Sequence, residues 1–381
     1  PLTPSPAPRS LAGAMDVLRI YESVFAFFAF VVGATVGSFL NVVIHRLPRG
    51  MSVNKPRRSF CPACEKQIPW HRNLPILSWL LLRGRCADCG ANIPPRYLLV
   101  EMLTGLLFLL AWVRFPFPDS VALWIFLGLL IAATFIDFEH FIIPDEITLG
   151  GTAVGVVCAT LIPRLLNAAA WWQGLLLSLI GAAAGFALLF AVVKLGKMAF
   201  GRKRIQFETP ERFQWRRDGD RGFLEMDGAE HPWEEFFPDE KAVLIIECAS
   251  LDVGGSRMDG PQTLRSLYES LEVGGTRHDL NAIDRFEGTA TSVCFERDAM
   301  GFGDVKFIAC IGAFLGWQGA LFSVVAASLV GSVVGLAALS LGRREWSSKL
   351  PFGPYLALGA LLWLSVGPAL VGWYLGILHR G

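Results

Sequence analysis

The 381 residues are 53% hydrophobic and 18% charged, with a mean hydropathy of +0.47, which excludes an ordinary single soluble domain and points to several membrane spans. A formal net charge of +1 gives no electrostatic footprint for nucleic acid, so no nucleic-acid partner is expected. Eight cysteines would allow a disulfide framework, but four fall into two C-x-x-C pairs and the rest stand alone, which favours metal binding.

The opening Pro1 to Ala14 is rich in Pro and Ser and shows no packing pattern. Residues 1–20 are therefore expected to be disordered or cloning-derived, with Met15 a natural beginning. Apolar runs of near-spanning length follow at about 24–44, 97–113, 120–136, 147–162, 174–193, 305–316, 320–341 and 355–376, giving eight candidate helices in a lipid bilayer. The run after Asp304 has only about 12 residues before Gly316-Trp317-Gln318-Gly319, roughly 18 Å of helix, too short to cross an unthinned bilayer alone.

Basic residues set the expected orientation. The loop from His45 to Arg96 carries Arg46, Arg49, Lys55, Arg57, Arg58, Lys66, Arg72, Arg83, Arg85 and Arg96, a cytoplasmic signature that puts the N-terminus outside. Alternation then places the loops near 114–119, 163–173 and 317–319 outside. Lys194, Lys197, Arg202, Lys203, Arg204, Arg343, Arg344 and Lys349 fall inside.

Between Gly201 and Ala299 lies a polar segment with about 21 acidic against about 10 basic residues from Ile205 to Met300, too charged for the bilayer and too long for a linker. Runs at Ala242–Cys248 and Ser292–Phe295, with Gly-Gly turns at 254 and 274, read as short strands of a small cytoplasmic α+β insert. The expected fold is an all-α polytopic membrane protein of about eight transmembrane helices, carrying a zinc-ribbon-like cytoplasmic loop and that insert. Its parts are 21–114 with the zinc loop at 45–96, a membrane core in two stretches at 115–200 and 300–381, and the insert at 201–299.

Cys61-Pro62-Ala63-Cys64 and Cys86-Ala87-Asp88-Cys89, about 21 residues apart, bring four thiolates within reach of one tetrahedral Zn2+. Disulfides are the competing reading, but a cytosolic loop is reducing. Four protein ligands leave no open position for an activated water, so the metal braces the loop.

Asp137 ends one apolar run and Asp304 opens another. Those spans run in opposite directions, so both carboxyls reach the cytoplasmic boundary. An ionisable group in a span is costly and by default functional. Two within hydrogen-bond range would split their titration, one supplying a base for water and the other an acid for the leaving amine. Gly301 and Gly303 allow backbone to approach a substrate strand. On physics alone the pair reads equally well as an interfacial charge at Asp137 and a helix cap at Asp304.

Gly301-Phe302-Gly303-Asp304-Val305-Lys306 resembles the G-x-G-D signature of intramembrane aspartyl peptidases, specifically the type IV prepilin peptidases. Gly37–Pro48, the paired C-x-x-C loop, Arg96–Glu101, Asp137 with Ile143-Pro144-Asp145, and Pro351–Tyr355 resemble further stretches of that family, in order. The resemblance implies that Asp137 and Asp304 are the catalytic pair, cleaving prepilins or pseudopilins after a Gly at the cytoplasmic border of the substrate helix. Asp145 reads as a helix cap or a supporting acid, and Pro351 and Gly353 as a substrate-facing bend or a helix start. The acidic insert departs from the family pattern.

The resemblance also implies S-adenosylmethionine-dependent N-methylation of the newly exposed residue, associated with 21–114. No G-x-G-x-x-G motif supports it. Gly84 and Arg85 are the matched positions, and Glu101 would bind a substrate amine or favour its helix N-terminus. The resemblance further implies a bacterial inner membrane; oligomeric state is not set by the sequence. A proton- or cation-coupled transporter is the rival reading of intramembrane carboxylates, and a zinc-braced methyltransferase or scaffold without peptidase action is a third.

Overall fold

The computed structural model describes residues 9–56, 59–219, 221–226, 228–237, 242–296, 300–341 and 350–378. Arg57, Arg58, Arg343, Arg344 and Lys349, used above for orientation, lie outside the described residues. The chain divides into two units, 1–189 with 302–381, and 190–301.

The first unit is helical. Its elements are α1 (Arg9–Arg46), α2 (Leu77–Leu81), α3 (Arg96–Arg114), α4 (Asp119–His140), α5 (Asp145–Leu161), the first part of α6 (Trp171–Phe200), α7 (Phe302–Ser340) and α8 (Gly353–Leu378). Residues 9–20, expected to be irregular, continue α1 as helix. Six helices are long and apolar enough to cross a membrane: α1, α3, α4, α6, α7 and α8. Three of the eight apolar runs account for the difference. The run at 147–162 forms α5, whose 17 residues fall just short of that length. The runs at 305–316 and 320–341 join into α7, broken by a left-handed Gly316 at φ 74° and ψ 176°. Phe27, Phe28, Leu329, Val333 and Trp373 are exposed, which in a protein of this composition is surface suited to lipid.

Small residues bring the helices together. Gly33 and Gly37 of α1 face the backbone of α3 at 104–105 and 100–101 so closely that neither has room for a Cβ. Gly181 of α6 and Gly312 of α7 stand against each other's carbonyls, and Ser178 donates to the Ala313 carbonyl at 2.8 Å. With lipid outside, helix association has no hydrophobic drive, so close backbone packing and such hydrogen bonds hold the bundle.

The second unit is an eight-stranded antiparallel sheet, not an α+β fold. Its strands are β1 (Arg202–Asp218), β2 (Arg221–Met226), β3 (Ala229–Pro232), β4 (Leu244–Val253), β5 (Ser256–Leu267), β6 (Ser270–Val273), β7 (Thr276–Asp279) and β8 (Arg285–Glu296), in spatial order β3-β2-β1-β8-β4-β5-β6-β7. Only 3-10 turns at Trp233–Phe236 and Leu280–Ala282 interrupt the described part of it. β4 alternates buried with half-buried side chains, the period of a strand in a sheet that buries one face. That face is Phe213, Trp215, Leu224, Trp233, Leu244, Ile246, Leu264 and Phe286 with their neighbours. The Gly254-Gly255 and Gly274-Gly275 turns have positive φ at both positions, as two-residue hairpins of this twist require.

Candidate active and metal sites

Asp137 lies in the last turn of α4, where the Phe141 amide returns to its carbonyl at 2.9 Å. Phe141 is left-handed at φ 55° and reverses the chain through buried Ile143 and half-buried Pro144 into α5. Asp304 is the third residue of α7. Both carboxyls are buried, Asp137 at 5% and Asp304 at 8% exposure.

Ile143 is the spacer between the elements. A Cβ on Gly303 would meet the Ile143 amide nitrogen at 3.3 Å, and one on Gly353 would meet Ile143 Cδ1 at 2.9 Å and Asp137 Oδ2 at 2.8 Å. The ends of α4, α7 and α8 therefore converge on one point. The Gly353 amide donates to Asp137 Oδ2 at 2.9 Å. Asp137 is near enough for its charge to act on Asp304, whose Oδ1 has no protein partner. Two carboxyls from segments 167 residues apart, one oriented by a backbone amide and the other unsatisfied, can hold a water and move protons around it.

Asp145 is the first residue of α5 and not its cap, a position held by Pro144. It accepts from Lys306 Nζ at 2.6 Å, linking α5 to α7 two residues past Asp304. Lys306 also stands 5.2 Å from the centre of the Phe302 ring. Gly301 and Phe302 are exposed, while Pro351 is buried. Asp304 does not cap α7 either, since the helix begins at Phe302.

The four C-x-x-C thiols meet. Their Sγ atoms all lie within 4.8 Å of one another, and Cys61 and Cys89 are 3.8 Å apart. That is too far for a disulfide at about 2.05 Å and close to the roughly 3.8 Å edge of a tetrahedron with Zn–S near 2.3 Å. The two knuckles repeat one design: Cys61 N donates to Lys66 O and Glu65 N to Cys61 O, as Cys86 N does to Ala91 O and Gly90 N to Cys86 O. Glu65 and Gly90 fill the same left-handed position. The Cys89 and Asp88 amides pull the Cys86 thiol down to about 7, while burial and the neighbouring thiols push Cys89 up to about 12, so the sulfurs titrate as one set.

Gly84 is left-handed at φ 68° and packs on the Trp79 ring, and its carbonyl accepts from Ile93 N at 2.7 Å. Arg85 is exposed. Glu101 is buried at 8% exposure, and its Oε2 accepts from Ile76 N at 2.7 Å. A residue that sequence reasoning did not single out is Asn41, buried at 1%, with Nδ2 donating to the Tyr97 carbonyl at 3.1 Å and Oδ1 unpartnered. The signal was available: a polar side chain inside an apolar span is costly without a purpose. Arg96 of α3 and Glu139 of α4 also pair across the bundle.

Comparison with known proteins bears on these positions. A family model described as the bacterial peptidase A24 N-terminal domain matches residues 31–115, which hold the four cysteines and Glu101. A second, described as the type IV leader peptidase family, matches 124–201 and 285–336, which hold Asp137 and Asp304. A prepilin leader peptidase/N-methyltransferase of Aeromonas hydrophila is 30% identical over 370 residues, covering 91% of this chain and 92% of that protein. One from Myxococcus xanthus is 46% identical over 140 residues, covering 36% and 42%, and one from Pseudomonas aeruginosa is 26% identical over 377 residues, covering 92% and 94%. No solved structure matches. With six apolar helices of spanning length and a relative matched nearly end to end, this chain is a multi-pass membrane protein of the type IV leader peptidase family.

Proposed function

We propose that this chain is a bifunctional prepilin peptidase, which removes the leaders of type IV prepilins or pseudopilins with Asp137 and Asp304 and then N-methylates the exposed residue from S-adenosylmethionine. The observation that carries the first activity is the convergence of the two buried aspartates, from α4 and α7, around Ile143. One carboxylate takes a proton from water as the oxygen attacks the scissile carbonyl, and the other carboxyl gives a proton to the leaving amine. The Gly353 amide fixes the Asp137 carboxylate, while Lys306 and Asp145 tie α5 to α7 beside it. Phe302 and Pro351 lie two residues before Asp304 and Gly353 in the chain, and the extended substrate would run beside them.

The four cysteines hold a structural Zn2+ that braces the loop. The basic residues of that loop favour a cytoplasmic face, which puts the zinc loop and the sheet unit in the cytoplasm of a bacterium and the helices in its inner membrane. The transporter reading has less support. The buried acids Glu101, Asp119, Asp137 and Asp304 all lie near helix ends among the described residues, leaving no chain of carboxylates through mid-membrane.

The test is coexpression of a prepilin with wild type, Asp137→Asn or Asp304→Asn, reading leader length and N-terminal mass. Either substitution should slow cleavage at least about 100-fold, the size of a general acid–base contribution. Wild-type cleavage in either variant rejects the pair.

A further inference from the structure

The loop that carries the cysteines turns an apolar surface outward. Trp70, Leu74, Leu77, Leu80 and Leu81 are all exposed, Trp70 at 80% and Leu81 at 81%. Leu77, Leu80 and Leu81 have the i, i+3, i+4 spacing of one helix face, so the outward face of α2 is wholly apolar. Its other face is already occupied: Trp79 packs on Gly84, and the Trp79 indole N–H donates to the Ile93 carbonyl at 3.2 Å. A helix of five residues is too short to hold itself together in water, and an outward patch of this kind is a docking surface.

Two contacts set the depth of α2. The Ile76 amide, just before it, donates to Glu101 Oε2 at 2.7 Å, and Glu101 is the sixth residue of α3. The 19 residues of α3 rise roughly 28 Å, close to the hydrocarbon thickness of a bilayer. The Glu101 backbone therefore lies about 7 Å inside the end of the span from which the cysteine loop hangs. Its side chain leans toward the helix N-terminus, back toward that end, which leaves Ile76 at the boundary between hydrocarbon and headgroups. On the other side, Asn73 and Pro75 wall one crevice with Phe39, an exposed ring of α1 seven residues before Arg46, where that helix ends. The segment is thus held against the ends of both spans, level with side chains that already face lipid, such as exposed Leu99 of α3.

The charges agree with that depth. Residues 67–87 contain no Asp or Glu, while Arg72, Arg83 and Arg85, all exposed, flank the apolar face where headgroup phosphates would stand. A tryptophan, leucines and arginines in a segment free of acids are the composition of an element that lies in the membrane interface. We infer that α2, with Trp70 and Leu74, is an interfacial anchor whose partner is the phospholipid leaflet on its own side. Leu77, Leu80 and Leu81 sit in the boundary between headgroups and acyl chains, and Trp79 ties the anchored helix to the second cysteine knuckle, Cys86–Cys89. The cysteine loop is thereby held flat on the membrane and does not swing free between α1 and α3.

The experiment uses the full chain in nanodiscs of phosphatidylethanolamine and phosphatidylglycerol, with the photocrosslinker p-benzoylphenylalanine in place of Leu81 or, for comparison, of Leu110, an exposed residue in the apolar span of α3. Mass spectrometry should find phospholipid adducts at position 81 in a yield of the same order as at 110. Lipid adducts at 110 with none at 81 overturn the inference, as do adducts at 81 only to a second copy of the chain or to an added prepilin. A second measurement is hydrogen exchange of the Leu80 and Leu82 amides, which donate to the Ile76 and Ser78 carbonyls, in wild type and in the double variant Leu77→Glu, Leu81→Glu. In the variant they should exchange at least about tenfold faster, since withdrawing even one leucine from lipid is worth about that factor. Equal exchange in the two proteins also overturns the inference, because charges placed on a face that already meets water change little. Zinc content and leader cleavage report that the double variant is folded, and the crosslinking, which keeps this face apolar, decides should the variant lose its zinc.

Discussion

At the scale of single residues, the site depends on two glycines that touch the same isoleucine with different tolerance. Gly353 has the Asp137 carboxylate oxygen 2.8 Å and Ile143 Cδ1 2.9 Å from where a Cβ would stand, whereas Gly303 has only contacts of 3.3–3.4 Å. Gly353→Ala should therefore push Asp137 aside while keeping the backbone donor. A shift approaching 1 Å at a reacting group can cost about 100-fold, so kcat for leader cleavage should fall by roughly that factor. Gly303→Ala should cost less, because Ile143 can yield a few tenths of an ångström. Equal effects of the two substitutions on kcat would contradict this geometry. Sequence alone marked Asp137 and Asp304, since carboxylates at the ends of apolar runs are conspicuous. It did not reveal Ile143 as their spacer or the Gly353 amide as a donor to Asp137, because both depend on how three helix ends meet.

At the scale of elements, the sheet shows where pattern reading stops. The apolar stretches of β4 and β8 were legible, as were the Gly-Gly turns. The other six strands were not, because their outward face is crowded with charges that look like linker until the inward residues are paired across strands. Those charges tie the central strands together: Arg204 of β1 bonds Glu247 of β4 at 2.7 Å, and Ser292 of β8 donates to the same carboxylate at 2.8 Å. The Ser292 hydroxyl, then Arg204, hold the Glu247 carboxyl below its ordinary value. A depressed carboxyl stabilises the fold above its unfolded pKa, about 4.3 for Glu, and loses that contribution as pH falls through the folded value. Hydrogen exchange at β4 and β8, corrected for intrinsic rate, should show wild type better protected than Glu247→Gln at pH 7. The gap should close as the medium is taken below about pH 4. A gap of the same size at both pH values would mean the charge is not its source. Among the helices, the Gly316-Trp317-Gln318-Gly319 break was visible in sequence, and non-helical Gly316 kinks α7 there into two helical stretches.

At the scale of the whole molecule, the sheet unit is an insertion whose two ends are neighbours. The chain enters it on β1 and leaves on β8, and these pair antiparallel with Arg202 opposite Glu296. Opposed residues of such a pair have Cα atoms about 4.5–5.5 Å apart, so the unit can be cut out and its ends rejoined by a short Gly-Ser linker without moving either flanking helix end. The sheet has its own buried core, and the aspartates, Ile143 and Gly353 all belong to the other unit. The match to the type IV leader peptidase family stops at 201 and resumes at 285, so the chemistry shared by that family does not require the residues between. Replacing 203–295 by such a linker should leave leader cleavage and methylation in place, measured on the purified protein with a synthetic prepilin. Any change should appear as a raised KM for particular prepilins, because a separate folded unit can add substrate contacts without entering the transition state. Loss of kcat in a deletion variant that keeps its zinc would show instead that the sheet helps assemble the catalytic pair.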